Sequence, residues 1–533
     1  PMSIGRSKSG GEYSAFFQGT IDHIQVLDRL LSEDEILDYL ILSSTTGIGN
    51  ENLVGFWSFD DAPGSQLIDL SGNDNHGDIN GAEWDTDVPI AGCSDESASN
   101  YLEGSNTDIN CLYNIGPDWY VAVDGDDTYN NGSEEFPYAT IQKAVDQADA
   151  VGDHSQVQTI YISPGLYEEN IVTPNGGYGE FGQIDFSFIG LGEDPSEVVV
   201  DGASNGSVFY FSVYDYDYFA STSISNMTIQ NGMAQSGGGI WVNGGDLYLD
   251  NVHILNNKFI DQNGEEKGGG VSISTQSYLG EVSITDCVIS GNGGSIGSTG
   301  AIYISGPNTV TIDGCLINNN EGYYVSGIFT EYAGAEYFSI KNTEFNNNID
   351  NIENPGLSGA AVLFVNEWGH LEMENVVFKD NFCGDGYAVH AGTGNFKNVS
   401  IVNNDAHTGM ALLTSNWNPD IITEIDRCTF INAGTYSGTG THSGLRFVGP
   451  NVQGLPAIVK NSIFDEGGIH ISHGNNGNTQ VDVSYSLIDI ENITQLDEQS
   501  ILTLGDGNFD EDPQFIDAEN GDFTLESTSP CID

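Results

Sequence analysis

The chain has 533 residues, with 12 Lys+Arg against 78 Asp+Glu and a formal charge of −66. So few bases give no footprint for nucleic acid or anionic lipid, which need clustered Lys and Arg, and no apolar run reaches the 18 residues of a membrane-spanning helix, so no membrane insertion is expected. The 25 Phe, 24 Tyr and 6 Trp exclude a disordered acidic tail, and 68 Gly without strict period exclude collagen.

Most carboxylates must be solvated or hold cations, because twelve bases cannot pair with them. Salt relieves such self-repulsion, so a saline, calcium-containing exterior is the expected medium and the protein is expected to be secreted or at the cell surface. No leader opens the chain, which begins PMSIGRSKSGG and is expected to be a window of a longer polypeptide.

Residues 1–90 read as short strands with one helix. Ile21, Ile24 and Val26 alternate in a strand-like run, and Ser32 with Glu35 forms a capping box ahead of Ile36, Leu37 and Leu40. From 52 to 88, short apolar runs are separated by Gly/Asn/Asp turns. IGR, FQGTIDHIQVLDRLLSEDEI and LVGFWSFDD…LIDLSGNDNHGDINGAEW together resemble the C-terminal part of a LamG-like, concanavalin-type jelly-roll domain. The resemblance implies a partial β-sandwich and glycan or protein adhesion.

In residues 91–116, Cys93 and Cys111 bracket a polar stretch too poor in apolar residues to build a core, where a disulfide is most useful. This segment resembles the short acidic, Cys-bounded linkers between domains of large secreted bacterial proteins.

Residues 117–533 carry most of the information. After the strand WYVAV and a Gly/Asp/Asn turn, Ile141, Ala144, Val145 and Ala148 fall on one face of a helix near 140–150, with Thr140 at its N-cap. A repeat then sets in: NMTIQNG (226), NVHILNN (251), DCVISGN (286), GCLINNN (314), NTEFNNN (342), NVVFKDN (375), NVSIVNN (398), RCTFINA (427) and NSIFDEG (461). An irregular spacing of this kind, with no helical periodicity, predicts one turn of a β-solenoid per unit. Six units place Asn at one offset: Asn257, Asn292, Asn320, Asn348, Asn381 and Asn404. Stacked amides can bond above and below, and Asn tolerates the left-handed region at turns, so this motif is read as structural. A second strand in each unit follows small residues, as in GGGIWV and GGGVSI, which suits a tight corner.

The opening VDGDD…NGS…PYATIQKAV, the repeats and the closing DPQFIDAENGDFTLESTSPCID together resemble the right-handed parallel β-helix of the pectate-lyase-like superfamily. The fold class expected is all-β: a right-handed parallel β-helix with an N-terminal partial β-sandwich segment. The fold hosts lyases, hydrolases, adhesins and stalks, so activity must be argued from a site.

Equivalent positions of such a coil stack about 4.8 Å apart. The outward column after the small-residue corner reads Trp241, Ser272, Tyr303, Phe329, Leu363, His390, Ala411, Arg446, His470. Trp241, Tyr303 and Phe329 form either a ladder for sugar rings or a row stabilised by cross-strand contact. Arg446, His470 and His390 gather cationic and titratable groups. A polysaccharide lyase could use an Arg to neutralise a uronate carboxylate and a His as base, while the plain alternative is an exposed Arg and His on a long coil. His473 reads as a turn residue. The Asp series of the polygalacturonase family is absent from the repeats, and the pairs Asp60-Asp61 and Asp126-Asp127 sit in turns, which leaves a glycosidase without two opposed acids.

Asp506, Asn508, Asp510 and Asp512 alternate and could offer oxygens to calcium, as could Asp124, Asp126 and Asp127, without EF-hand spacing; both runs also read as turns. No cofactor is required. Cys287, Cys315 and Cys428 share an inward column and read as free thiols; Cys287 and Cys315 fall on neighbouring turns, within bridging distance, although strand geometry rarely suits a disulfide there. The leading reading is a secreted or cell-surface, non-catalytic structural or adhesive protein that binds glycans or surface proteins. The alternatives are a lyase acting on uronate-containing glycans and a self-assembling subunit of an extracellular filament or surface assembly.

Overall fold

A computed structural model describes residues 3–9, 12–21, 24–31, 53–59, 65–84, 91–95, 98, 105, 107–108, 111, 113–151, 154–173, 184–212, 220–260, 268–274, 280–294, 299–323, 325–331, 337–350, 361–365, 370–383, 386–405, 408–413, 422–432, 443–448, 456–465, 468–472, 479–495, 498, 500–518 and 522–532. The capping box at 32–35, the apolar positions after it, Asp60-Asp61 and His473 lie outside these residues. The chain separates into two compact units, Pro1–Asn114 with Thr128–Asn131 and Ile115–Asp127 with Gly132–Asp533.

Among the described residues the first unit contains three antiparallel pairs: Arg6–Ser9 with Glu12–Phe16, Ile24–Leu27 with Leu53–Trp57, and Gln66–Leu67 with Gly77–Asp78. The loop DLSGNDNHG is organised around buried Asp69, whose carboxylate accepts from the backbone N–H groups of Phe56, Ser71 and Asn75. Burial alone would raise its pKa, but these bonds and the Ser71 hydroxyl outweigh it and hold the group at about 2. Cys93 and Cys111 are bridged, beside a parallel pairing of Ala91–Gly92 with Thr107–Asp108.

The second unit is a parallel β-helix. One large sheet is bent, and its longest strands, Ser221–Gln230, Asp246–Leu255, His370–Lys379 and Thr393–Val402, run through the bend. A 5-stranded sheet and a 12-stranded sheet complete the coil. The interior is apolar, with Ile240, Ile254, Ile284, Ile312, Phe345 and Phe430 fully buried. Helix Ile141–Val151 carries Ile141, Ala144, Val145 and Ala148 on its buried face. Its first amides are held by Asp127, which accepts from the Ala139 and Thr140 N–H groups, and by Glu169, which accepts from Ile141 and Gln142. The Thr140 hydroxyl accepts from Lys143 N–H.

The repeated motif marks both bends of the coil. Its first residue has positive φ (Asn226, Asn251, Asp286, Gly314, Asn342, Asn375, Asn398), and so does the fifth residue after it (Asn231, Asn256, Gly291, Asn319, Asn347, Asp380, Asn403). Asn, Asp and Gly recur there because they bear the left-handed conformation at least cost. The predicted amide stack is the next residue inward. Asn257 Nδ2 donates to Asn292 Oδ1 at 3.1 Å, Asn292 to Asn320 at 3.1 Å, Asn320 to Asn348 at 3.0 Å, Asn348 to Asn381 at 3.0 Å and Asn381 to Asn404 at 2.8 Å. All six are buried, and none has the left-handed backbone, which belongs to the residue before it. The small-residue corner packs on this stack: a Cβ on Gly239 would lie 2.9 Å from Asn257 Nδ2, and one on Gly238 would lie 2.5 Å from the Lys258 carbonyl.

On the outer side of the bent sheet a charged column alternates over successive coils: Asp313, Lys341, Glu374, Lys397, Asp426, Lys460. Lys397 pairs with Glu374 and Lys460 with Glu424.

Candidate functional site

The 12-stranded sheet presents one long outward column, because its alternate residues, such as Ile240, Val242, Ile302 and Ile304, are buried in the coil. From the N-terminal end the register runs Val172, Tyr210, Trp241, Ser272, Tyr303, Phe329. It continues through Phe364, His390, Ala411, Arg446, His470 and Thr494. Phe364 takes the place expected for Leu363, which pairs with Ile328 and Val389 and is buried with them. The run AAVLFV is apolar at every position, so alternation does not fix its phase.

The aromatic end differs from the expected ladder. Trp241 stacks on Tyr210, with centroids 4.1 Å apart and planes 22° from parallel, and both rings are half-buried. Ser272 follows and is buried, and Tyr303 is only 1% exposed. Tyr303 stacks on half-buried Phe329 at 5.9 Å. Tyr303 is thus no open platform, and the available ring pair is Tyr210–Trp241. Tyr210 escaped the sequence reading because its strand, Phe209–Ser212, lacks the preceding glycines. The alternation of buried Phe209 and Phe211 around it was the usable signal.

The basic end brings together side chains from three strands. Arg446 and His470 are register neighbours, and His390 lies two strands from Arg446, about 10 Å away. Arg446 Nη1 donates to the Tyr387 hydroxyl at 3.4 Å, and its Nε is buried without a hydrogen-bond partner. Among the described residues no carboxylate pairs with Arg446. Tyr387 also lies against His390, with ring centroids 5.4 Å apart. Burial pushes the His390 imidazole down to about 4, and the Arg446 guanidinium adds to this, so His390 is neutral at pH 7. Tyr387 precedes Arg446 by 59 residues, and only the coil brings them together.

This arrangement can hold an anion. A half-buried guanidinium keeps one N–H undirected, a phenol fixes its other arm, and a neutral imidazole stands near. It is a weak proton-abstracting site, because a His held near 4 is a poor base at neutral pH.

In the 506–512 run, the Asn508 and Asp512 side chains are engaged with backbone. Asn508 Oδ1 accepts from Ser486 N–H and its amide donates to the Val483 carbonyl, while Asp512 accepts from Gln514 N–H. Among the described residues no three His, Cys, Asp or Glu side chains gather as a metal cage. Within this run Asn508 acts as a backbone clamp. Asp127, from the other suggested run, is likewise engaged at the helix N-terminus. On the 5-stranded face, a shallow depression of about 290 Å³ opens where Gly293 interrupts a row between Lys258 and Glu321.

Residues 215–406 match the family model described as right handed beta helix region, and the fold is an all-β, right-handed parallel β-helix. No curated protein matches the chain. Among solved structures, a pectin methylesterase from carrot is 12% identical, with 68% of this chain and 90% of that chain covered and a TM-score of 0.26. A pectin methyl esterase of rice weevil is 13% identical over 57% and 81%, with a TM-score of 0.25. The GH136 lacto-N-biosidase from Eubacterium ramulus is 12% identical over 74% and 68%, with a TM-score of 0.32. These neighbours are carbohydrate-active enzymes, and at such scores they carry no argument about what this chain does. Among the described residues no helix is long and apolar enough to cross a membrane.

Proposed function

We propose that the chain is an extracellular, non-catalytic binding protein whose 12-stranded face holds acidic polysaccharide. The observation that carries this reading is Arg446. In a chain with 78 acidic residues, this half-buried guanidinium has no carboxylate partner among the described residues and keeps a buried Nε free of hydrogen bonds. It shares one outward column with the Tyr210–Trp241 stack. Seven strand steps separate Trp241 from Arg446, about 34 Å, so a polymer, rather than one sugar, is the ligand that engages both ends. Rings stack against the aromatic pair, and a carboxylate takes the Arg446 fork. His470, next in the column, borders that fork. The Cys93–Cys111 cystine supports export to an oxidising medium. The reading requires no cofactor, and calcium would serve only to screen the other carboxylates. The N-terminal unit, read as a LamG-like segment, would add a second adhesive module.

The test is titration with uronate-containing and neutral polysaccharides, together with ultraviolet detection of unsaturated products. Uronate polymers should bind and neutral ones should bind more weakly. Arg446→Ala should lower uronate affinity about 10- to 100-fold, the worth of one charge-assisted hydrogen-bonded pair, and Trp241→Ala should weaken both classes of polymer. Equal binding of wild type and Arg446→Ala would overturn the carboxylate assignment. Sustained release of unsaturated products would replace the non-catalytic reading with a lyase.

A further inference from the structure

Cys287 and Cys315 occupy consecutive places in one inward column. Each follows a left-handed residue, Asp286 or Gly314, and the strands after them pair in register, Val288 with Leu316. Leu316 N–H donates to the Cys287 carbonyl at 2.9 Å, which locks the two coils together beside the thiols. Both side chains are buried and neither is in a disulfide; the Cys287 thiol lies 3.1 Å from the Thr285 carbonyl and the Cys315 thiol 3.4 Å from the Ile284 carbonyl. Neighbouring parallel strands stand about 4.8 Å apart, inside the Cα separation of about 4.4–6.8 Å that a disulfide spans. Cys428 shares the column but lies four coils further on, and Cys383 is on the 5-stranded face. The same chain closes Cys93 to Cys111, so the medium in which it forms that bond supplies disulfide oxidant.

We propose that Cys287 and Cys315 are a modification site: they close an inter-coil disulfide when the chain folds in an oxidising medium. The oxidant is a low-molecular-weight or enzyme-borne disulfide. The Cys315 thiolate attacks one sulfur of that disulfide and expels a thiolate, leaving a mixed disulfide. Cys287 then loses its proton, attacks the Cys315 sulfur and expels the second thiolate. One disulfide is reduced to two thiols, which carry away both protons, and the two cysteines are oxidised to one cystine. The step precedes closure of the interior, because both thiols are shielded in the finished coil.

The test uses the full chain, expressed in an oxidising compartment, purified without reductant and alkylated in denaturant. Of the five cysteines outside the Cys93–Cys111 bridge, three should alkylate, and digestion should yield one peptide pair joined through Cys287 and Cys315, lighter by about 2 Da than its reduced parts. Five alkylated cysteines beside an intact Cys93–Cys111 bridge would overturn the proposal, as would a bridge joining any other pair. Melting gives a second readout. Reductant should lower the Tm of the wild type by several degrees more than that of Cys315→Ser, which keeps Cys93–Cys111 and takes the residue found at Ser462 in the same column. Equal shifts would count against the cross-link.

Discussion

Truncating one member of the buried amide stack isolates what holds coil to coil. The Asn320 side chain makes four hydrogen bonds: its Nδ2 donates to the Ile289 carbonyl (2.9 Å) and to Asn348 Oδ1 (3.0 Å), and its Oδ1 accepts from the backbone N–H (3.0 Å) and Nδ2 (3.1 Å) of Asn292. In Asn320→Ala the Asn292 backbone N–H is stranded in the interior, at about 2 kcal/mol, and the Asn292 amide is left half-satisfied, at about 1 kcal/mol more. The sum, about 3 kcal/mol, is about two decades in an opening equilibrium. A solenoid's stability is a sum of coil and nearest-neighbour terms, so the assay must be local. Hydrogen exchange at the Leu316 and Glu321 amides, which bond to the Cys287 and Asn292 carbonyls, should accelerate about 100-fold. The control is Asn375→Ala in the exposed outer row, where Asn375 donates to Asn342 and accepts from Asn398 with φ of 57°. Water replaces those bonds, and what remains is the left-handed backbone, at about 1 kcal/mol. If both variants exchange alike, or Asn320→Ala changes protection less than fivefold, the stack is not what couples the coils.

Two further predictions follow from charge. Asp350 is fully buried, and desolvation pushes its carboxyl well above the ordinary range, only partly offset by Ser326. It stays protonated in the coil while the unfolded chain ionises it above about 4, so its contribution is complete below that pH and is lost as pH rises toward the folded value, at about 1.4 kcal/mol for each tenfold in proton affinity. Asp350→Asn should therefore raise the Tm at pH 7 and leave it nearly unchanged at pH 3; a Tm difference independent of pH refutes this. Lys397→Met interrupts the alternating column between Glu374 and Asp426, so it should lower the Tm at low ionic strength and have little effect at 1 M salt; an equal loss at both salt levels would point to packing.

The features legible in the sequence are those set by local chemistry. Spacing alone gave the stack from Asn257 to Asn404, because a buried amide needs a partner one coil away and the motif supplies one. Short-range composition likewise pointed to the Cys93–Cys111 bridge that the structure contains. Spacing did not reveal which residue bends the chain. Asn256 and Asn257 are chemically identical, and the left-handed backbone falls on the first while the interior takes the second. Phase failed at Leu363 and Phe364, where every neighbour is apolar. Exposure failed at Tyr303, since alternation says which way a side chain points and nothing about what lies over it. The contact between Tyr387 and Arg446 depends on the lengths of intervening coils, which no periodicity encodes.

The distribution of cations argues for the binding face. With 12 Lys+Arg in the chain, Lys341 and Lys397 each stand between two acids of one outer column and Lys460 stands beside Asp426, while Arg427 pairs with Asp426 and Lys379 with Asp380. Those bases relieve repulsion where coils would stack carboxylate on carboxylate. Arg446 does no such work: its strand neighbours in the column are Ala411 and His470, and its polar contact is a tyrosine hydroxyl. Partly desolvating a guanidinium without a counter-charge is unfavourable for folding, so the position is hard to explain by coil stability. It is explained by a carboxylate that arrives from outside, and in that case Arg446→Leu should leave the coil at least as stable as wild type while lowering uronate affinity about 10- to 100-fold. A marked loss of stability in that variant would show that Arg446 serves the fold instead.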